Sequence, residues 1–134
     1  MLFSRLFHGG DHEIIQKRYY KNKFQDTIIR LYICVMLYIE NQKEAINNLC
    51  KLHNVETLYI FGSALTDRFS AASDIDFLVK FKPFDLSLYF DNYLLLKEKL
   101  KDLFHKEIDL LEEQTLKNPI LIKSINKNKE LIYG

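Results

Sequence analysis

Gly62-Ser63-Ala64-Leu65-Thr66-Asp67-Arg68-Phe69-Ser70-Ala71-Ala72-Ser73-Asp74-Ile75-Asp76-Phe77-Leu78-Val79 is the stretch that decides the fold of this chain. The apolar run Leu58-Tyr59-Ile60-Phe61 precedes it and Phe77-Leu78-Val79 closes it. That pattern predicts a strand, a Gly-Ser turn, a polar excursion and a second strand. Asp74 and Asp76 stand two apart at the mouth of the second strand, where side chains alternate with a period of two, so both carboxylates project from one face. Like charges held side by side repel unless a cation or a proton lies between them. A hard divalent ion such as Mg²⁺ suits oxygen ligands and brings phosphates with it. Gly62 gives a ligand room to approach the backbone, and Ser63, at the start of a short predicted helix, offers a hydroxyl and amides to a phosphate.

Outward from this stretch the pattern continues in both directions. Upstream, Ala45, Ile46, Leu49, Cys50 and Leu52 fall mostly on one helical face and lead into a strand over Thr57 to Phe61. Cys50 and His53 read as core and cap residues of that helix. Downstream, Pro83 ends the extended run and Asp85 can cap a helix. Its stripe holds Leu86, Tyr89, Phe90, Tyr93, Leu94, Leu96, Leu100, Leu103 and Phe104. These aromatics read as core, with Tyr89 and Tyr93 also able to reach a base or a partner. Lys106-Glu107-Ile108-Asp109-Leu110-Leu111 alternates as a third strand, in which Glu107 shares the face of Asp109. Asn118-Pro119 marks a further helix start, and Glu130-Leu131-Ile132-Tyr133 a last short strand.

The spacing Gly62-Ser63, ten residues, Asp74-x-Asp76 resembles the signature of the minimal (MNT) branch of the DNA polymerase β-like nucleotidyltransferases, of the antitoxin type. The resemblance runs from about Glu40 to the C-terminus. It implies an α/β (α+β) fold, a small mixed sheet flanked by helices, with residues 40–134 as the nucleotidyltransferase domain and 1–39 as an N-terminal extension. In that family the Gly-Ser turn holds the nucleotide triphosphate, the Asp-x-Asp pair binds Mg²⁺, and a third strand supplies another Asp, here Asp109. Ala64-Leu65-Thr66-Asp67 follows Ser63 where many members read Gly-Ser-Arg-Ala-Arg-Gly, so Arg68 or Lys80 is the candidate to replace the missing arginine.

The implied chemistry is transfer of a nucleoside monophosphate, AMP from ATP, to a hydroxyl. Asp74, Asp76 and Asp109 would hold two Mg²⁺ ions; Gly62, Ser63 and Arg68 would hold the nucleotide; Asp109 would take the acceptor's proton. The resemblance further implies a HEPN-type helical partner protein as acceptor, in a toxin-antitoxin pair. A binding module that neutralises its partner by occlusion, without turnover, is the alternative reading, and the missing arginine is its support.

Length and composition limit the rest. A chain of 134 residues, 48% hydrophobic and 28% charged, has room for one domain with a real core. A separate domain for a small-molecule acceptor does not fit. The formal net charge of +1 offers no field to recruit nucleic acid, which disfavours a polymerase. Cys34 and Cys50 form no metal-ligand pattern and suit a reducing cytoplasm. The apolar segment Ile28 to Ile39 is interrupted by Arg30 and is shorter than the roughly 20 residues of a membrane span, so it reads as a buried or partner-facing helix. Met36 just precedes the region of resemblance, so the first 35 residues are either a helical extension or a misplaced start.

Overall fold

The computed structural model describes residues 29–30, 32–65 and 73–134. In chain order these form the helical residues 32–41 (α1), α2 (Lys43–Leu52), β1 (Val55–Phe61), β2 (Ile75–Phe81), α3 (Tyr89–Phe104), β3 (Ile108–Glu112), α4 (Pro119–Asn128) and β4 (Glu130–Tyr133). Short 3-10 turns stand at Gly62–Leu65, Leu86–Leu88 and Glu113–Thr115. Residues 1–28 of the expected N-terminal extension, and Arg68, lie outside the described residues.

The four strands form one mixed sheet in the order β3-β2-β1-β4. β1 runs antiparallel to β2 and to β4, whereas β2 and β3 are parallel. Parallel neighbours need a crossover, and α3 supplies it. The expected α/β fold with a small mixed sheet flanked by helices is what the chain adopts.

Strand alternation sorts the side chains into two layers. Ile75, Phe77, Val79 and Phe81 of β2 join Val55, Leu58 and Ile60 of β1 and Ile108 and Leu110 of β3 in the main core. Onto this face pack Ile39 of α1, Ile46 and Cys50 of α2, and Leu96, Leu100 and Phe104 of α3. The opposite face carries a smaller cluster in which Ile125 of α4 covers Phe61 and Leu78. α4 therefore shields only part of the second face.

Local chemistry fixes the ends of these elements. Asn118 accepts hydrogen bonds from the Ile120 and Leu121 amides and Pro119 opens α4, satisfying donors that a helix start leaves unpaired. Asp85 accepts from the Ser87 amide as expected of a cap, although it caps the 3-10 turn that leads into α3. His105, in the left-handed region at φ 53°, terminates α3 and returns the chain to β3. Cys50 is fully buried, and His53, at the C-terminal cap of α2, bonds the Asn92 side chain at 3.0 Å.

One sequence expectation changes in detail. Leu86, Phe90 and Leu94 are exposed at 82%, 68% and 45%, because α3 turns only Leu96, Leu100 and Phe104 fully inward. Glu112, at the end of β3, is half-buried. α1 joins the domain directly: Ile39 is buried, and the Tyr38 hydroxyl donates to the Leu103 carbonyl at 2.8 Å.

Candidate active site

Register on the second face of the sheet assembles the site. Phe61 of β1 pairs with Asp76 of β2, and Asp76 pairs with Asp109 of β3, so one row crosses the sheet as Phe61, Asp76, Asp109. The next row is Tyr59, Leu78, Leu111. Neighbouring strands lie about 4.8 Å apart, so the two carboxylates of the first row leave the sheet side by side. Asp74 precedes β2, exposed, two residues before Asp76.

The Gly-Ser turn abuts this row. Gly62 has φ +74°, and a Cβ placed on it would meet Asp76 Oδ2 at 2.3 Å. Both features demand glycine: the left-handed backbone, and the space the carboxylate occupies. Gly62 thus ends β1 and leaves the Asp76 carboxylate lying against bare backbone. Ser63 follows within the same 3-10 turn, so the expected short helix exists as a single turn.

Two groups support the row from outside. Lys106 Nζ reaches the Ser73 carbonyl at 3.5 Å, tying the segment before Asp74 to the approach to β3. The Tyr93 hydroxyl donates to the Leu110 carbonyl at 2.6 Å, fixing α3 to the strand that carries Asp109. Burial, then the charges of Asp109 and Glu112, push the Tyr93 pKa up. The sequence offered one signal for Lys106, its place three residues before Asp109; pairing of Ile75 with Ile108 converts that place into proximity to Ser73.

Other candidates stand elsewhere. Lys80 shares the face but lies four residues beyond Asp76 and bonds Glu56 at 3.2 Å, so it does not replace the missing arginine beside the turn. Glu107 pairs with Lys101 of α3. Tyr89 and Tyr93 belong to α3, on the other side of the sheet, where the Tyr89 ring stacks on Phe84. The Tyr89 hydroxyl is buried without a well-formed hydrogen bond; burial and then the nearby Glu112 carboxylate raise its pKa. Neither tyrosine is placed to stack a base over the carboxylates.

Among the described residues, no three His, Cys, Asp or Glu side chains converge as a ready metal cage. The donor set nevertheless fits Mg²⁺, which is usually held by one or two carboxylates together with substrate phosphates and water. Asp76 and Asp109 present two carboxylates in register that would hold the ion, and the absent Cβ of Gly62 lets the Asp76 carboxylate lie against the turn. Among the described residues no helix is long and apolar enough to cross a membrane.

Comparison with known proteins agrees with this arrangement. A family model described as polymerase beta, nucleotidyltransferase matches residues 44–134. A chain of Methanocaldococcus jannaschii, provisionally named a protein adenylyltransferase, is 34% identical over 83 residues, covering 60% of this chain and 78% of the relative. A solved minimal nucleotidyltransferase superposes with a TM-score of 0.56 at 26% identity, over 68% of this chain and 89% of that one. The MNT antitoxin in a Shewanella oneidensis complex with a tri-AMPylated HEPN toxin shares the fold with a TM-score of 0.50 at 19% identity, over 72% of each chain. With its sheet, its Gly-Ser turn and more than half of its length accounted for in this way, the chain belongs to the polymerase β nucleotidyltransferase family.

Proposed function

We propose that this protein transfers AMP from ATP to a hydroxyl group of a HEPN-type helical partner protein, as the antitoxin of a toxin-antitoxin pair. The observation that carries the reading is the pairing of Asp76 with Asp109 across β2 and β3, against the bare backbone of Gly62. The archaeal relative named for protein adenylylation and the antitoxin found with an AMPylated toxin support the choice of acceptor. A cytoplasmic setting follows from that role.

In this reading Asp74, Asp76 and Asp109 would hold Mg²⁺, which would supply positive charge against the phosphates of the nucleotide. Asp76 is held in place by its strand and by the bare backbone of Gly62. Asp109, exposed at the edge strand, is open to an incoming acceptor and takes the hydroxyl proton. The acceptor oxygen forms a bond to the α-phosphorus, the bond from that phosphorus to the β-phosphate bridging oxygen breaks, and pyrophosphate leaves. The amides of the Gly62–Leu65 turn and the Ser63 hydroxyl hold the departing phosphates, and Arg68 adds positive charge there.

A second reading, neutralisation by occlusion without turnover, is supported by the sequence Ala64-Leu65-Thr66-Asp67 after Ser63, which lacks the arginine beside the turn. One experiment separates the two. The HEPN-type partner is co-purified, incubated with ATP and Mg²⁺, and measured by intact mass spectrometry beside an Asp74→Ala/Asp76→Ala control. Added AMP units that vanish in the control establish transfer; a stable complex with no mass change establishes occlusion.

A further inference from the structure

Asp74 differs from the other two carboxylates in how it is held. Asp76 and Asp109 pair across β2 and β3, whereas Asp74 precedes β2 and is exposed. Both of its chain neighbours are tied to one dipeptide, Lys106-Glu107, on the approach to β3. On one side the Ile75 amide donates to the Glu107 carbonyl at 3.0 Å. On the other the Lys106 ammonium reaches the Ser73 carbonyl at 3.5 Å. The first tie is backbone to backbone and asks nothing of the side chains. The second needs a long side chain that ends in a donor.

Resting on the metal-dependent transfer reading above, we infer that Lys106 is a positioning residue: by holding the Ser73 carbonyl it fixes the backbone before β2 and keeps the Asp74 carboxylate beside Asp76. Three observations converge on that role. The first is register. Ile75 pairs with Ile108 in the parallel ladder, so continuing by two residues brings Lys106 level with Ser73. The second is surroundings. Lys106 is half-buried and shares a cavity of about 280 Å³ with Cys34, Val35 and Tyr38 of α1, Phe104 of α3, and Ile75. Walls of this kind confine an aliphatic stem, and a hydrogen bond made partly out of water is stronger than one at an open surface. The third is chemistry. An ammonium donates to a carbonyl and cannot itself ligate a cation. A lysine placed here only for its charge would repel a metal ion held one residue away at Asp74, so the sign of its effect on metal binding separates holding from charge. Through the shared cavity, α1 and α3 thereby bear on the carboxylate that the sheet itself does not fix.

Titration of the full chain with Mn²⁺, which carboxylates bind as they bind Mg²⁺, tests this through the electron paramagnetic resonance signal of the free ion, with Asp76→Asn as control. Lys106→Met keeps an unbranched stem and removes the ammonium. It weakens Mn²⁺ binding about tenfold, the lower end of what loss of an outer-shell partner costs a metal site. Lys106→Arg, which keeps a long cationic donor, restores most of that affinity. Hydrogen exchange at the Ile75 amide is faster in Lys106→Met than in the wild type. AMP transfer by this variant falls at limiting Mg²⁺ and recovers as Mg²⁺ is raised. Lys106→Gln, shorter and uncharged, decides the matter should Lys106→Met fail to fold. Unchanged or tighter Mn²⁺ binding without the ammonium, while Asp76→Asn abolishes binding, overturns the positioning role and leaves the metal site standing. A wild type that binds no Mn²⁺, or binds it equally well after Asp76→Asn, overturns the transfer reading and the positioning role with it.

Discussion

Replacing Gly62 by alanine is the smallest change that addresses the site directly. The added Cβ falls 2.3 Å from Asp76 Oδ2, and ordinary contact begins at 3.4 Å, so the carboxylate must retreat by about 1 Å or the turn must open. The backbone at φ +74° adds strain of about 1–2 kcal/mol for an L side chain. In a domain of this size each kcal/mol lowers Tm by roughly 3–5 °C, so Gly62→Ala melts about 3–10 °C below wild type. The catalytic cost is larger than the stability cost. A 1 Å displacement of a positioning group costs on the order of 100-fold in rate, and AMP transfer to the partner should fall by about that factor at a temperature where the variant is fully folded. Thermal melting by circular dichroism and a time course of AMP incorporation by mass spectrometry measure the two effects separately. A Gly62→Ala protein that melts within 1 °C of wild type and transfers AMP within about threefold of its rate would refute both the close approach and the role given to Asp76.

Three further outcomes are expected. Asn118→Ala removes the acceptor for the Ile120 and Leu121 amides and costs about 1 kcal/mol, seen as a lower denaturation midpoint with an unchanged slope. Tyr93→Phe deletes the bond to the Leu110 carbonyl, costs about 0.5–1.5 kcal/mol in the same assay, and speeds amide exchange in β3. The two thiols differ in reactivity: exposed Cys34 is alkylated in the native protein, whereas Cys50, its pKa pushed up to about 12 by burial, reacts only on unfolding. Because the unfolded thiol ionises near 9.0 and the folded one near 12, the contribution of Cys50 to stability is complete below pH 9 and declines between these values, which alkaline melts of wild type and Cys50→Ala compare.

The sheet was legible because its signals are local. Asp74-x-Asp76 between apolar runs, the Ile-Asp-Leu of β3 and Asn118-Pro119 each carry their element in the choice and spacing of neighbouring residues. The side-by-side placement of Asp76 and Asp109 was not local: it depends on parallel register, which α3 sets over more than thirty residues. Lys80 could pass for a phosphate ligand because alternation alone puts it on the correct face, and only the pairing with Glu56 across β1 shows where it is engaged. Phe90 and Leu94 count as core in any periodic reading, since exposure of one flank of a helix depends on what packs against it. The cavity beside Lys106 left no trace in the sequence for a similar reason: its walls come from α1, the start of β2 and the end of α3.

β3 is an edge strand, and the Ile75 amide bonds the Glu107 carbonyl, so by alternation Ile108, Leu110 and Glu112 direct their backbone groups away from the sheet. Such a row is a template on which a foreign strand can add, the usual route to self-association of sheet proteins. Tyr93 occupies the central carbonyl of that row with its own hydroxyl. The phenol therefore acts as a stopper against intermolecular strand pairing while Asp109, on the adjoining face, stays open. If the acceptor proposed above enters at this edge, the same strand can receive it and remain closed to copies of itself.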